Sequence, residues 1–171
     1  VRAAALLEKS GEACKFKLIG DGAERGRIEA LAQQLGVRAM EFLDAQSPEV
    51  LAETLRSADV CLGIFGETGK AGRVVPNKVY EAMAAGRPVI TGDSPAAREF
   101  LKDGEDCLLC ERGNPEALAK SIRTLRGDPT LARKLAEGGR RSFEEKASPR
   151  VIGGWLKDRL CSKEGWHGHV A

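Results

Sequence analysis

Residues 58–65, Ala-Asp-Val-Cys-Leu-Gly-Ile-Phe, form an almost unbroken apolar run. A strand written this way is buried on both of its faces, which is the habit of parallel sheets sandwiched between helices. The rest of the chain repeats the theme. Apolar, strand-like segments fall at residues 14–20, 37–43, 87–92 and 105–111. Between them lie segments of helical spacing: residues 23–36 carry Ile28, Leu31 and Leu35 and end at Gly36. Ser47-Pro48 opens a helix running to about Ser57, since a serine cap with proline in the first helical position is a start signal. A short helix is expected from Pro95. Asn114-Pro115 opens a longer one through Leu125, and Asp128-Pro129 opens another, ending near Gly138-Gly139. Ser148-Pro149 starts the last, with Val151, Ile152, Trp155, Leu156 and Leu160. The opening residues, VRAAALLEKSG, read as the end of a helix already under way. Strand and helix in short alternation predict an α/β fold, a Rossmann-like parallel sheet with helices on both faces. One domain over residues 1–160 is expected, with a frayed tail at 161–171.

Composition narrows the function classes. The net charge of +2 mixes 27 basic with 25 acidic side chains, so no one-sided field for nucleic acid exists. Aromatic residues are 5%, too few for base-stacking platforms. No apolar run approaches the roughly 20 residues of a membrane span. Cys14 and Cys61 lie in apolar runs as small hydrophobes, which suits a reducing, cytoplasmic setting. Cys107 and Cys110 have C-x-x-C spacing but sit in a strand-like segment, where their side chains point to opposite faces. No second cysteine pair completes a zinc site. The two histidines, His167 and His169, are in the tail, and no Ser-His-Asp arrangement is evident.

The segment most suggestive of chemistry is residues 75–90, VPNKVYEAMAAGRPVI. It reads as a loop ending at a proline, a short helix, a glycine and a new strand. Such a unit presents backbone N–H groups at the carboxyl edge of a parallel sheet, where phosphates and nucleotides bind. Glu81 could hold two adjacent ribose hydroxyls, or be an ordinary glutamate favoured near a helix start. Lys78, near the same helix N-terminus, is electrostatically misplaced unless an anion is present; it could equally be a solvated surface lysine. Gly20 and Gly22 flank a strand-to-helix turn that a ligand could approach closely, or that needs glycine for geometry alone. Lys70, Gly72 and Arg73, in the glycine-rich loop of residues 66–75, could fold over a diphosphate or serve solubility.

Taken in order, these segments resemble the C-terminal domain of group 1, retaining, GT-B glycosyltransferases. FKLIGDGAERGRIEALAQQLGV is similar to that family's strand, Gly-Asp-Gly turn and helix; EFLDAQSPEVLAETLRSADVCLGIF to its next strand, helix and strand; and residues 75–122 to its nucleotide-sugar motif and the segments after it. The likeness covers residues 15–160. It implies a donor site for a UDP-, GDP- or ADP-sugar, no further cofactor, no metal, and chemistry between two domains in which the donor's own phosphate assists the acceptor. It implies that Glu81 holds the ribose, as the second glutamate of a Glu-x7-Glu motif. Asn77, Lys78 and Val79 join it as binding candidates, because Pro76-Asn77-Lys78 resembles one subgroup's element before the helix. The motif's first glutamate, which contacts the donor sugar, falls on Arg73.

A second departure concerns the sheet. In the family a first, central strand with Gly-Arg and Lys-Gly elements precedes the helix that opens this chain. Without it two rows of backbone groups lie unpaired. Either that strand comes from another segment or chain, or the flanking strands rearrange. The expected partners are therefore a nucleotide sugar, an N-terminal acceptor domain or the missing strand, and self-association through the open sheet. The expected location is cytoplasmic, with the inner face of a membrane reached through the full-length protein. A 2-epimerase acting on nucleotide sugars and a degenerate domain kept for assembly are the alternatives.

Overall fold

A computed structural model describes residues 1–161. In chain order the elements are α1 (Arg2–Lys9), β1 (Phe16–Ile19), α2 (Arg25–Gln34), β2 (Met40–Leu43), α3 (Pro48–Ser57), β3 (Cys61–Leu62), α4 (Asn77–Ala84), β4 (Val89–Gly92), α5 (Pro95–Phe100), β5 (Leu108–Cys110), α6 (Pro115–Gly127), α7 (Pro129–Lys146) and α8 (Pro149–Cys161). The expected α/β alternation is present, and every strand pair is parallel. The tail expected beyond Cys161, with His167 and His169, lies outside the described residues.

The start signals work as the sequence implies. Ser47 accepts from Val50 N–H at 3.4 Å, Ser94 from Ala97 N–H at 3.1 Å, Asn114 from Ala117 N–H at 2.9 Å and Asp128 from Leu131 N–H at 2.9 Å. The proline after each cap takes the position whose N–H has no partner anyway.

The strands form two sheets, β1-β2 and β3-β4-β5. β4 is the hub, paired in register with β3 (Cys61 opposite Val89) and with β5 (Ile90 opposite Leu108). All four of its residues are buried. Its alternating side chains divide the core in two. Ile90 faces a cluster built by α1, α6 and the start of α7, with Leu7, Ile122, Leu125 and Leu135. Val89 faces a cluster built by α4 and α5, with Val79, Met83, Ala97 and Leu101. Cys107 lies in the second cluster and Cys110 in the first, on opposite sides as period-two geometry requires.

Two expectations need correction. β1 and β3 do not rearrange to pair; each is bonded along one edge only. Phe16 and Leu62 nevertheless pack on the same cluster, so both sheets lie over one helical layer. Residues of β1 and β2 remain half-buried or exposed throughout, unlike β4. The second correction concerns α7, which runs past Gly138-Gly139 to Lys146. The two glycines do not stop the helix. They let its backbone lie directly on residues 105–106, where a Cβ on Gly138 would collide with the Glu105 carbonyl oxygen and one on Gly139 would sit 2.9 Å from that of Asp106.

Gly138→Ala should therefore lower unfolding free energy by about 2 kcal/mol, overpacking outweighing the gain in helix propensity. Gly153→Ala in α8, where a Cβ meets nothing within 4 Å, should raise it by up to about 1 kcal/mol. Urea unfolding of the two variants checks both signs.

Candidate functional site

The carboxyl ends of the parallel strands meet where β3 runs into the loop of residues 66–76 and then into α4. α4 differs from its neighbours at its start. Pro76 occupies the cap position and offers no side-chain acceptor, and no acidic residue lies in the first turn. Val79 N–H is taken by the Pro76 carbonyl at 2.9 Å, while the N–H groups of Asn77 and Lys78 have neither a helical nor a side-chain partner among the described residues. Val79, Ala82 and Met83 turn into the core. By helical spacing Asn77, Lys78 and Glu81 share the opposite, outward arc, and all three are exposed.

This places the sequence candidates in distinct roles. Asn77, Lys78 and Glu81 come together. Val79 does not join them as a side chain, being fully buried. Lys78 pairs with no acid among the described residues, and desolvation of its ammonium lowers its pKa. An unpaired cation at a helix N-terminus is a local electrostatic cost that an anion would relieve.

The loop ahead of α4 is a folded turn rather than a loose strap. Gly72 N–H donates to Thr68 O at 3.2 Å, Arg73 N–H to Lys70 O at 3.1 Å and Ala71 N–H to the Thr68 hydroxyl at 3.2 Å. Ala71 and Gly72 are buried, whereas the side chains of Lys70 and Arg73 are exposed beside the α4 start. Neighbouring loops are stitched to it. Gly92 N–H donates to Ile64 O at 2.9 Å, Gly113 N–H to Phe65 O at 2.9 Å and Asp93 N–H to Cys110 O at 2.7 Å.

Arg112 crosses this seam and was not legible in the sequence. Its Nη1 donates to Gly66 O at 3.3 Å. A Cβ on Gly92 would sit 2.7 Å from its Cγ, and one on Gly72 would sit 3.0 Å from its Nη1. At Gly92 a Cβ would also lie 2.6 Å from the Ile64 carbonyl oxygen, so that position requires glycine.

Gly20 and Gly22 lie at the carboxyl end of the other sheet. Gly20 has φ +123°, a conformation that demands glycine. A Cβ on either residue would meet nothing within 4 Å. The turn is tied by Arg25, also not anticipated, which donates to Asp21 at 2.6 Å, Glu29 at 2.7 Å and Asp44 at 2.8 Å, and to the carbonyls of Gly20 and Leu43 at 3.3 Å. A larger cleft of about 560 Å³, lined by Lys102, Asp106, Lys134, Arg141 and Ser142 among others, lies beside the loop that enters β5, at the opposite end of the sheet from α4's start.

Comparison with known proteins decides the family. The group 1 glycosyl transferase family matches residues 1–128. The chain belongs to the group 1 glycosyl transferases. It is 31% identical over 152 residues to the putative glycosyltransferase EpsD of Bacillus subtilis, covering 89% of this chain and 38% of that protein. The sucrose-phosphate synthase of Thermosynechococcus elongatus superposes with a TM-score of 0.73 at 26% identity, over 93% of this chain and 41% of its own. Anabaena HepE, solved with UDP and glucose, superposes with a TM-score of 0.76 at 19% identity, over 93% of this chain and 43% of its own. The chain thus has the C-terminal domain fold of GT-B glycosyltransferases and spans about two fifths of the length of these relatives.

Burial pushes the thiols of Cys61 and Cys110 up to about 11 and that of Cys107 to about 12. Among the described residues no group of three or more His, Cys, Asp or Glu is placed to hold a metal ion. At pH 7–9 a thiol reagent should label exposed Cys161 quickly and half-buried Cys14 more slowly. The other three should react only on unfolding, which mass mapping of the labelled protein checks.

Proposed function

We propose that this chain is the donor-binding part of a retaining, hexosyl-transferring glycosyltransferase, and that the outward arc of α4 receives the nucleoside diphosphate of a nucleotide sugar. The uncapped start of α4 carries this reading. Its N–H groups and the Lys78 ammonium suit a diphosphate, and Glu81 one turn further on suits a pair of ribose hydroxyls. Lys70 and Arg73, on the turn that delivers the helix, add positive charge beside the same anion. Family membership and the UDP held by the similarly folded HepE support the assignment. Besides donor and acceptor the reaction needs no further cofactor. In the reaction an acceptor hydroxyl oxygen bonds to the anomeric carbon of the sugar as the bond from that carbon to the diphosphate breaks; the nucleoside diphosphate leaves with the bonding electron pair, and its phosphate takes the acceptor's proton. Three buried free thiols accord with a cytoplasmic setting. None of the helices among the described residues is long and apolar enough to cross a membrane; we assign any approach to the inner membrane face to the full-length protein.

Titrating UDP-, GDP- and ADP-sugars into the full-length protein by calorimetry should give heat with one nucleotide class. Glu81→Ala should weaken that binding about tenfold, the worth of a hydrogen bond to a charged group. Absence of heat with every nucleotide would sink the reading. Analysis of the products distinguishes transfer from isomerisation, and their absence despite binding would favour a domain kept for assembly.

We assign the acceptor side, and the groups that complete the sheet, to the remainder of the full-length protein. A parallel strand lying between β1 and β3 would satisfy the open edge of each. The α8 stripe of Ile152, Trp155, Leu156 and Leu160, with Trp155 57% and Leu160 73% exposed, would find its cover on that same part. The isolated chain should then associate with itself, whereas the full-length protein should not do so through these surfaces. Size exclusion with light scattering, on the chain and on a Trp155→Ser/Leu160→Ser variant, reads this directly; a strictly monomeric isolated chain would count against it.

A further inference from the structure

β3 does not leave its ladder in the regular way. Cys61 N–H donates to Pro88 O at 2.9 Å and Gly63 N–H to Ile90 O at 2.8 Å, as a parallel pair requires. The regular pattern would next bring the Gly92 N–H to the Gly63 carbonyl. It donates instead to Ile64 O, one residue further along, at 2.9 Å. β3 therefore ends with an extra residue opposite β4, a bulge at Gly63-Ile64. The Ile64 N–H, which the ladder leaves unpaired, is met by the Thr91 hydroxyl oxygen at 3.2 Å.

Three observations mark this as a built feature. Thr91 is 2% exposed, so its hydroxyl is used inside the protein rather than on water. Glycine at 63 is what admits it, because a Cβ there would collide with Thr91 Oγ1. The bulge also reverses the alternation of faces. Cys61 lies in the cluster of α4 and α5 and Leu62 against that of α1 and α6, so a regular strand would return Phe65 to the side of Cys61. Phe65 packs on Leu62's side instead.

That reversal decides the course of the next loop. From Phe65 on one side of β4 the chain crosses the carboxyl end of the sheet to Val75, which packs against the other cluster. The crossing is made by the turn of residues 68–73, and it delivers Pro76 to the bare start of α4. A regular β3 would begin this loop on the wrong face, and one residue of strand spans about 3.3 Å.

We propose that Thr91 is a positioning residue of the donor site: its hydroxyl holds the Gly63-Ile64 bulge, and the bulge sets where the loop of residues 66–76 and the start of α4 meet the nucleotide. This rests on the assignment of the nucleotide to α4. Thr91 acts through the backbone of Ile64 and not by touching the donor.

The full-length protein is titrated with UDP, GDP and ADP by calorimetry, and its thermal unfolding is followed in parallel. Thr91→Val keeps the shape of the side chain but leaves the Ile64 N–H without an acceptor, and should weaken binding of the preferred nucleotide about tenfold. Thr91→Ser, which keeps the hydroxyl, should bind within about twofold of the parent. Ile122→Val, a core change on α6, should lower Tm and leave binding unaltered. Should Thr91→Val not fold, Thr91→Cys, whose sulfur is a weak acceptor, takes its place with the same expectation. Parent-like binding by the variant without the hydroxyl, an equal loss in Thr91→Ser, or an equal loss in Ile122→Val overturns the positioning role and leaves the α4 reading standing. If the parent binds no nucleotide, the α4 reading falls and this role falls with it.

Discussion

The parallel pairing of β4 with strands on both sides is what the rest of the molecule depends on. Val89 to Gly92 are buried on both faces, so the two core clusters exist as separate bodies only because this strand stands between them. The same strand sets the position of the site. The Thr91 hydroxyl, itself buried, accepts from Ile64 N–H at 3.2 Å, and Gly92 accepts no side chain because Ile64 O and Arg112 already occupy the space. A one-residue slip in β4 would turn Ile90 and Thr91 to the wrong faces and unseat both loops at once.

The β1-β2 pair shows what happens without that double cover. Its residues are half-buried or exposed, and α2 buries only Ala32. Its order is maintained at its carboxyl end by Arg25, which gathers three carboxylates and two carbonyls. Electrostatics at a rim do here what hydrophobic contact does around β4. Exposed ion pairs contribute modestly, so this half of the sheet has less holding it than the other.

Much of this architecture was legible in the residues. Ser47-Pro48, Asn114-Pro115 and Asp128-Pro129 announce helix starts because the cap and the proline act within a few residues of chain. The nearly unbroken apolar stretch at 58–65 pointed to cover on both faces; Cys61 and Leu62 do face the two clusters, but only Cys61 and Gly63 are buried and regular pairing is confined to Cys61–Leu62. Gly138-Gly139 misled because a glycine pair that ends a helix and one that admits a neighbouring backbone look alike until the neighbour is known. On the site, Lys78 and Glu81 were readable from their positions on the helix, and Asn77 from the family resemblance of Pro76-Asn77-Lys78. Arg112 was not, since the loop that carries it meets the loop after β3 through strand register that no local pattern encodes. Val79 entered with its motif and proved to be core.

The bare start of α4 links occupancy to folding. Ser47, Ser94, Asn114 and Asp128 complete their helices from within the chain. α4 instead has a proline where such a cap would be, so an anion settling there takes the place of a missing side chain. Whatever binds adds RT ln(1 + [L]/Kd) to the stability of the native state. Under the proposed assignment of a nucleotide to α4, the firmness of this edge would follow the concentration of that nucleotide in the cell.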